Sequence, residues 1–193
     1  LMLRQMKKWR MYLVYLKRLG KSYWIRCPIN RTKQRLNGLK LNTLYIGIDP
    51  GKSGAICYLL GNRMMVFNMP NDVEQLADEM RAIIDMSNDD DIVCVLEKVW
   101  AFKGNGISST WKFAEQYGSI IGVLSTLKIP YRLVAPQRWM RYYGTMPKDK
   151  TERKRYIKDL AVDKYPDYDK RITIKQSDAI MIATYAREKH VPR

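Results

Sequence analysis

The sequence predicts an α/β domain: a mixed five-stranded sheet flanked by helices. Three observations lead there. Short β-rich apolar runs recur five times, at 44–49, 55–60, 63–68, 91–97 and 131–134. Stretches of helical spacing lie after the third, fourth and fifth runs, the last position holding two of them. Finally, Ile92-Val93-Cys94-Val95-Leu96 is a continuous apolar run, as expected of a central strand covered on both faces. The element order is therefore β-β-β-α-β-α-β-α-α.

The first strand, Leu44-Tyr45-Ile46-Gly47-Ile48-Asp49, runs into Pro50-Gly51, where Pro sets φ and Gly admits a positive φ. Asp49 thus closes a core strand. Ala55 to Leu60 returns as a hairpin, and Arg63 to Asn68 follows as a third strand. Asn71, with Glu74 three residues on, reads as a capping box opening a helix over 72–86. Its apolar positions are Leu76, Ala77, Met80, Ile83 and Ile84.

The fourth strand ends in Glu97, and a basic, aromatic and glycine-rich loop follows, Lys98 to Gly106. Ser108 or Ser109 is expected to cap a long helix reaching about Leu127. Trp111, Ala114, Tyr117, Gly118, Ile121 and Leu124 are placed on one of its faces. Gly118 and Gly122, four apart, admit a close backbone, either of this fold or of a second copy.

After the fifth strand, Gln137 to Gly144 is aromatic and basic. Pro147 suits the first turn of a helix over 148–164 that carries Lys148, Lys150, Arg153, Lys154, Arg155 and Lys158. Pro166 to Arg171 reads as a loop. The last helix starts at Ser177, with Asp178 in its first turn, where the helix dipole favours a carboxylate.

Charge is distributed unevenly. The 193 residues carry a net +16, yet residues 1–43 hold 12 Lys/Arg and no acid. The remaining 23 basic and all 19 acidic residues leave +4 for residues 44–193. The chain divides accordingly into a basic N-terminal arm, 1–43, expected to be flexible, and a folded domain, 44–193. Such an arm seeks polyanions. Its aromatics Trp9, Tyr12, Tyr15, Tyr23 and Trp24 suit base stacking. A transit peptide is a weaker alternative, and upstream sequence without a role, given the non-Met Leu1, a stronger one.

Cys27, Cys57 and Cys94 are scattered and His190 is the sole histidine, which argues against zinc, against histidine acid–base chemistry and against a disulfide framework. No apolar run approaches the length of a membrane span.

Asp49, Glu97 and Asp178 each admit a bland reading as turn, strand-end or helix-start acids. Together they form a pattern. With the first and fourth strands adjacent, all three converge on one edge. Clustered carboxylates repel unless a cation neutralises them. Oxygen donors without His or Cys point to Mg²⁺ or Mn²⁺, and two such ions suit in-line phosphoryl displacement.

At this point the chain resembles the RuvC-type Holliday-junction resolvases of the ribonuclease H-like superfamily, phage forms in particular. The matching residues are Ile46-Gly47-Ile48-Asp49-Pro50-Gly51, Leu96-Glu97-Lys98-Val99, Gly118-Ser119-Ile120-Ile121-Gly122-Val123, Ala135-Pro136-Gln137-Arg138-Trp139, Gly144 with Lys150 six on, and Ser177-Asp178-Ala179. They span about 44–189. The resemblance implies a ribonuclease H-like fold and a homodimer that resolves four-way DNA junctions by paired phosphodiester hydrolysis. Its implied metal ligands are Asp49, Glu97 and Asp178, holding two Mg²⁺ or Mn²⁺ ions, with Lys150 near the scissile phosphate. Trp100 or Phe102 would touch bases at the junction centre. Lys103, Arg138, Arg141, Lys148, Arg153, Lys154 and Lys175 would bind DNA. The setting would be the cytoplasm of a bacterium or phage-infected host, or an organelle if the arm is a transit peptide.

One departure stands out. The family's fourth metal-site residue, three before the last Asp, is here Lys175. Either three acids suffice, or Gln176 or Asp169 substitutes, or Lys175 itself supplies positive charge. Two other outcomes stay open: a junction-binding protein with weakened catalysis, and a related nuclease acting on another branched or hybrid nucleic acid. An actin-like phosphotransferase needs a second similar domain, and a P-loop needs Gly where Ile46 stands, so no nucleotide cofactor is expected.

Overall fold

The computed structural model describes residues 43–61, 63–86, 91–100 and 106–189. The arm, except for Thr43, and the expected DNA contacts Phe102 and Lys103 lie outside the described residues. The elements run β1 (Thr43–Asp49), β2 (Ala55–Leu60), β3 (Arg63–Asn68), α1 (Val73–Met86), β4 (Asp91–Glu97), α2 (Ile107–Thr126), β5 (Tyr131–Val134), α3 (Pro136–Tyr142), α4 (Lys150–Lys164), a 3-10 turn (Pro166–Arg171) and α5 (Ile174–Lys189). The sheet order is β3-β2-β1-β4-β5. β1–β2 and β2–β3 pair antiparallel; β1–β4 and β4–β5 pair parallel. The sheet is mixed, as expected, and β1 lies at its centre.

Element ends differ from the sequence reading where local chemistry offered near-equal choices. Asp72, not Asn71, caps α1: its Oδ1 accepts the N–H of Glu74 at 2.9 Å. Gly106 precedes α2 without any side-chain cap, so neither Ser108 nor Ser109 has that role. Gln137 to Gly144 is largely helical, since Pro136 occupies the first turn of α3. Pro147 lies outside α4. Asp149 caps that helix instead, accepting from the N–H groups of Thr151 and Glu152 at 2.8 and 2.9 Å. α5 starts three residues earlier than expected, so Asp178 sits in its second turn rather than its first.

Alternation along the strands builds two cores. Leu44, Ile46 and Ile48 of β1, with Cys94 and Leu96 of β4, face α1 and α2. Tyr45 of β1 and Val95 of β4 face the opposite layer, with Trp139 of α3, Ile157 and Ala161 of α4, and most of α5. No strand residue of β1 before Asp49 is exposed, which is why that strand reads as continuously apolar. α5 is buried from Gln176 to Ala186 because it is enclosed between the sheet and α4.

Gly47 sets how near α5 comes. A Cβ built there would lie 2.2 Å from the backbone N of Ala183 and 2.5 Å from the carbonyl O of Ala179. The helix backbone therefore rests directly on β1, a contact that only glycine allows. Backbone on both sides leaves nothing flexible to yield. Gly47→Ala is expected to destabilise the fold by about 2 kcal/mol or more, the upper part of the overpacking range. Chemical denaturation measures this; a midpoint within error of the wild type would contradict it.

Candidate active site

The period of two along a strand decides where the acids go. Tyr45, Gly47 and Asp49 share the α5 side of β1, and Val93, Val95 and Glu97 share that side of β4. The parallel register pairs Ile48 with Leu96, so Asp49 and Glu97 leave the sheet side by side at its C-terminal edge. α5, seated on Gly47, carries Asp178 one residue before Ala179 at that contact. Three carboxylates distant in sequence thus meet at one end of the sheet.

Each is held differently. Glu97 Oε2 accepts a hydrogen bond from the indole Nε1 of Trp139 at 2.7 Å, and Trp139 is fully buried. Asp178 is buried, and its Oδ2 accepts from Lys154 Nζ at 2.6 Å. Its other oxygen, Oδ1, is buried and has no hydrogen-bond partner. Such an orphaned carboxylate oxygen is costly and calls for an explanation. Asp49 ends β1 half-buried, just before the Pro50-Gly51 turn, where Gly51 takes φ +113°.

The charges feel one another. Burial pushes the Asp49 carboxyl well above its ordinary value, and the neighbouring Asp178 and Glu97 raise it further. Burial likewise raises Glu97 to about 7; Asp178 adds to this, while the Trp139 hydrogen bond and Lys154 oppose it. Burial alone would lower the Lys154 ammonium, but Asp178, Asp49 and Glu97 outweigh it and leave its pKa above 10.5. This is the electrostatic signature of a site short of positive charge.

Among the described residues, no group of three or more His, Cys, Asp or Glu side chains is drawn together closely enough to ligate a metal ion as it stands. The donors nonetheless suit a hard divalent cation: all are carboxylate oxygens, two are raised by burial and mutual repulsion, and one atom is orphaned. Asp49, Glu97 and Asp178 are the residues that would hold it.

The other expected site residues fall into groups. Lys150 opens α4 and is exposed, one turn before Lys154. Lys154, expected on DNA, touches Asp178. Arg153 donates to the carbonyls of Pro147 and Lys148, both at 3.1 Å, and so braces the loop before α4. Arg138, Arg141 and Lys148 are exposed near a cleft of about 780 Å³ that Arg141, Lys148, Met140 and Met146 help to line. Trp100 is 46% exposed, with Lys98 Nζ 5.3 Å from its ring centroid.

Of the stand-ins for a fourth acid, Lys175 and Asp169 are both exposed. Gln176 is buried, and its Nε2 donates to Asn68 Oδ1 at 3.3 Å while its Oε1 has no partner. The sequence reading assigned no role to Trp139 or to the Lys154–Asp178 contact. The signal for Trp139 was a bulky indole just inside a Pro-initiated turn; nothing in sequence separates Lys154 from the other cations of α4.

The face of α2 also divides differently. Ile120, Val123 and Leu124 are buried, whereas Ile107 is 90% and Trp111 72% exposed, with Ala114 exposed beside them. Nothing lies within 4 Å of a Cβ built at Gly118 or Gly122. These glycines therefore serve no close contact among the described residues.

No protein-family model and no curated protein sequence matches the chain. Its fold is that of RuvC. A structure of Thermus thermophilus RuvC in complex with a Holliday-junction substrate matches with a TM-score of 0.54 at 10% identity, covering 78% of this chain and 98% of that one. A second Thermus thermophilus RuvC structure matches with a TM-score of 0.50 at 13% identity, covering 76% and 96%. What is shared is the ribonuclease H-like layering of this mixed sheet and its helices.

Raised carboxyl pKa values mean that the metal-free fold binds protons that the unfolded chain releases. Stability is then greatest below the ordinary carboxylate value and falls as pH rises through the window between the unfolded and folded values. For Glu97 that window runs from 4.5 to about 7. Asp49 acts in the same direction. In EDTA, the melting temperature should fall between pH 5 and pH 7, and Glu97→Gln should flatten the slope by an amount of the order of a few kcal/mol. A melting temperature that climbs across this range would refute the assignment.

Proposed function

We propose that this chain is a metal-dependent endonuclease that resolves four-way DNA junctions, acting as a RuvC-type homodimer. The observation that carries this reading is the convergence of Asp49, Glu97 and Asp178 at one edge of a RuvC-like sheet, electrostatically coupled and short of positive charge. A divalent ion bound there supplies Lewis-acid stabilisation of phosphodiester oxygens and a more acidic water.

The chain's own residues prepare that site. Trp139 holds one Glu97 oxygen and leaves the other for a ligand. Lys154 fixes the rotamer of Asp178. The exposed cations Arg138, Arg141, Lys148, Lys150 and Lys175 are available to a phosphate backbone, and the basic arm 1–43 would add sequence-independent attraction. Trp100, with Phe102 and Lys103 in the same loop, suits contacts to unpaired bases. The bare strip of Ile107, Trp111, Ala114, Gly118 and Gly122 suits a second copy of α2, which would set two sites symmetrically for paired cuts.

A second reading, a junction-binding protein with weakened catalysis, is favoured by one observation: Lys154 already occupies an oxygen of Asp178. Incubating the full chain with a four-way junction, a linear duplex and an RNA–DNA hybrid, with and without Mg²⁺, separates the readings. Paired nicks in the junction are expected, with Asp49→Asn lowering the rate by at least about a thousandfold while binding persists. Junction binding without cleavage supports the second reading. Cleavage of hybrid alone points to a different substrate.

Two further outcomes follow from the surfaces. Trp111→Glu should convert a dimer to a monomer in light scattering; an unchanged mass would remove α2 from the interface. Arg141→Ala and Lys148→Ala should weaken binding to all sequences alike, each lowering the salt slope by about 1.

A further inference from the structure

We infer that Lys154 is a built-in cation of the carboxylate cluster, taking the charge role of one metal ion, so that the site accepts a single divalent ion. This rests on the nuclease reading above and departs from the two ions that the resemblance implies.

The geometry supports it on three counts. Lys154 Nζ lies 2.6 Å from Asp178 Oδ2, shorter than the usual separation for a charge-assisted contact and closed on the oxygen it neutralises. Asp178 is more than nine-tenths buried, so this is an internal ion pair rather than a surface one. Its Oδ1 remains buried without a partner, which leaves one vacancy for positive charge on that carboxylate and not two.

Charge balance leads to the same count. Three ionised carboxylates and one ammonium leave two negative charges, which one divalent ion cancels. A second divalent ion would leave the pocket with a surplus of two positive charges, in a buried setting where uncompensated charge is costly. The position where the resemblance places a fourth acid cannot redress this. Lys175 is exposed and does not enter the cluster. A lysine of α4 thus stands in the cluster, and Lys175 of α5 does not. Unlike a metal ion, this cation cannot dissociate. It is a positioning residue, acting through Asp178.

Manganese binding to the full chain, measured by calorimetry with the bound ions counted by electron paramagnetic resonance, tests this without reference to activity. The wild type should bind one Mn²⁺ per chain. Lys154→Met keeps the length and removes the charge. It should lower the metal-free melting temperature and tighten Mn²⁺ binding at least tenfold, because Oδ2 is released and a competing cation is lost. Lys154→Arg, should the Met variant not fold, retains the charge and should bind one ion within threefold of wild-type affinity.

Two Mn²⁺ ions per wild-type chain would overturn the inference, as would an isotherm unchanged by Lys154→Met. Two ions together with junction cleavage would overturn this inference alone. No Mn²⁺ bound and no cleavage would overturn the nuclease reading with it.

Discussion

The seating of α5 on β1 is the constraint from which the rest of the molecule follows. With backbone resting on backbone at Gly47, the helix has no freedom to slide or lift. That contact fixes the height of Asp178 above the sheet, and the parallel register of β1 and β4 fixes Asp49 beside Glu97. A larger residue at position 47 would raise the helix and separate the acids. The smallest side chain in the strand thus controls the most polar feature of the fold.

Placing acids at the end of a buried helix and two buried strands has an electrostatic cost. Burial and mutual repulsion raise Asp49 and Glu97, and the structure compensates only in part. Trp139 offers one neutral donor and Lys154 one charge, so the cluster remains electron-rich and receptive. Such partial satisfaction would be a defect in a purely structural core, since unpaired buried charge destabilises. In a site built to receive a cation, as proposed for this one, it would be a reserve of binding energy for the ligand to release.

The layers were legible because the hydrophobic pattern specifies them. Ile92 to Leu96 announced a strand covered on both sides, and helical spacing over 72–86 announced α1. Element ends were less legible, since adjacent residues compete for the same role. Asn71 and Asp72 both make good caps, and only the turn after Pro70 selects Asp72. Pro147 signals a start to α4, but the side-chain bonds of Asp149 fix that start at Lys150. On α2, the same apolar spacing covers residues that turn inward, such as Leu124, and residues that turn outward, such as Trp111; spacing ranks hydrophobicity without saying which side is covered.

By itself, the sequence determined the strand order and every helix but α3, the polarity of the sheet's buried runs, and the three acids as strand-end and helix residues, because each depends on local periodicity and turn chemistry. Tertiary structure alone decided which cation serves those acids. Lys150, Lys154 and Lys175 are equivalent in composition, and only the angle between α4 and α5 brings Lys154 to Asp178 while leaving the other two in solvent. Long flexible side chains carry no spacing signal strong enough to reveal a partner 24 residues away. Their pairing is settled by where packed helices place their backbones.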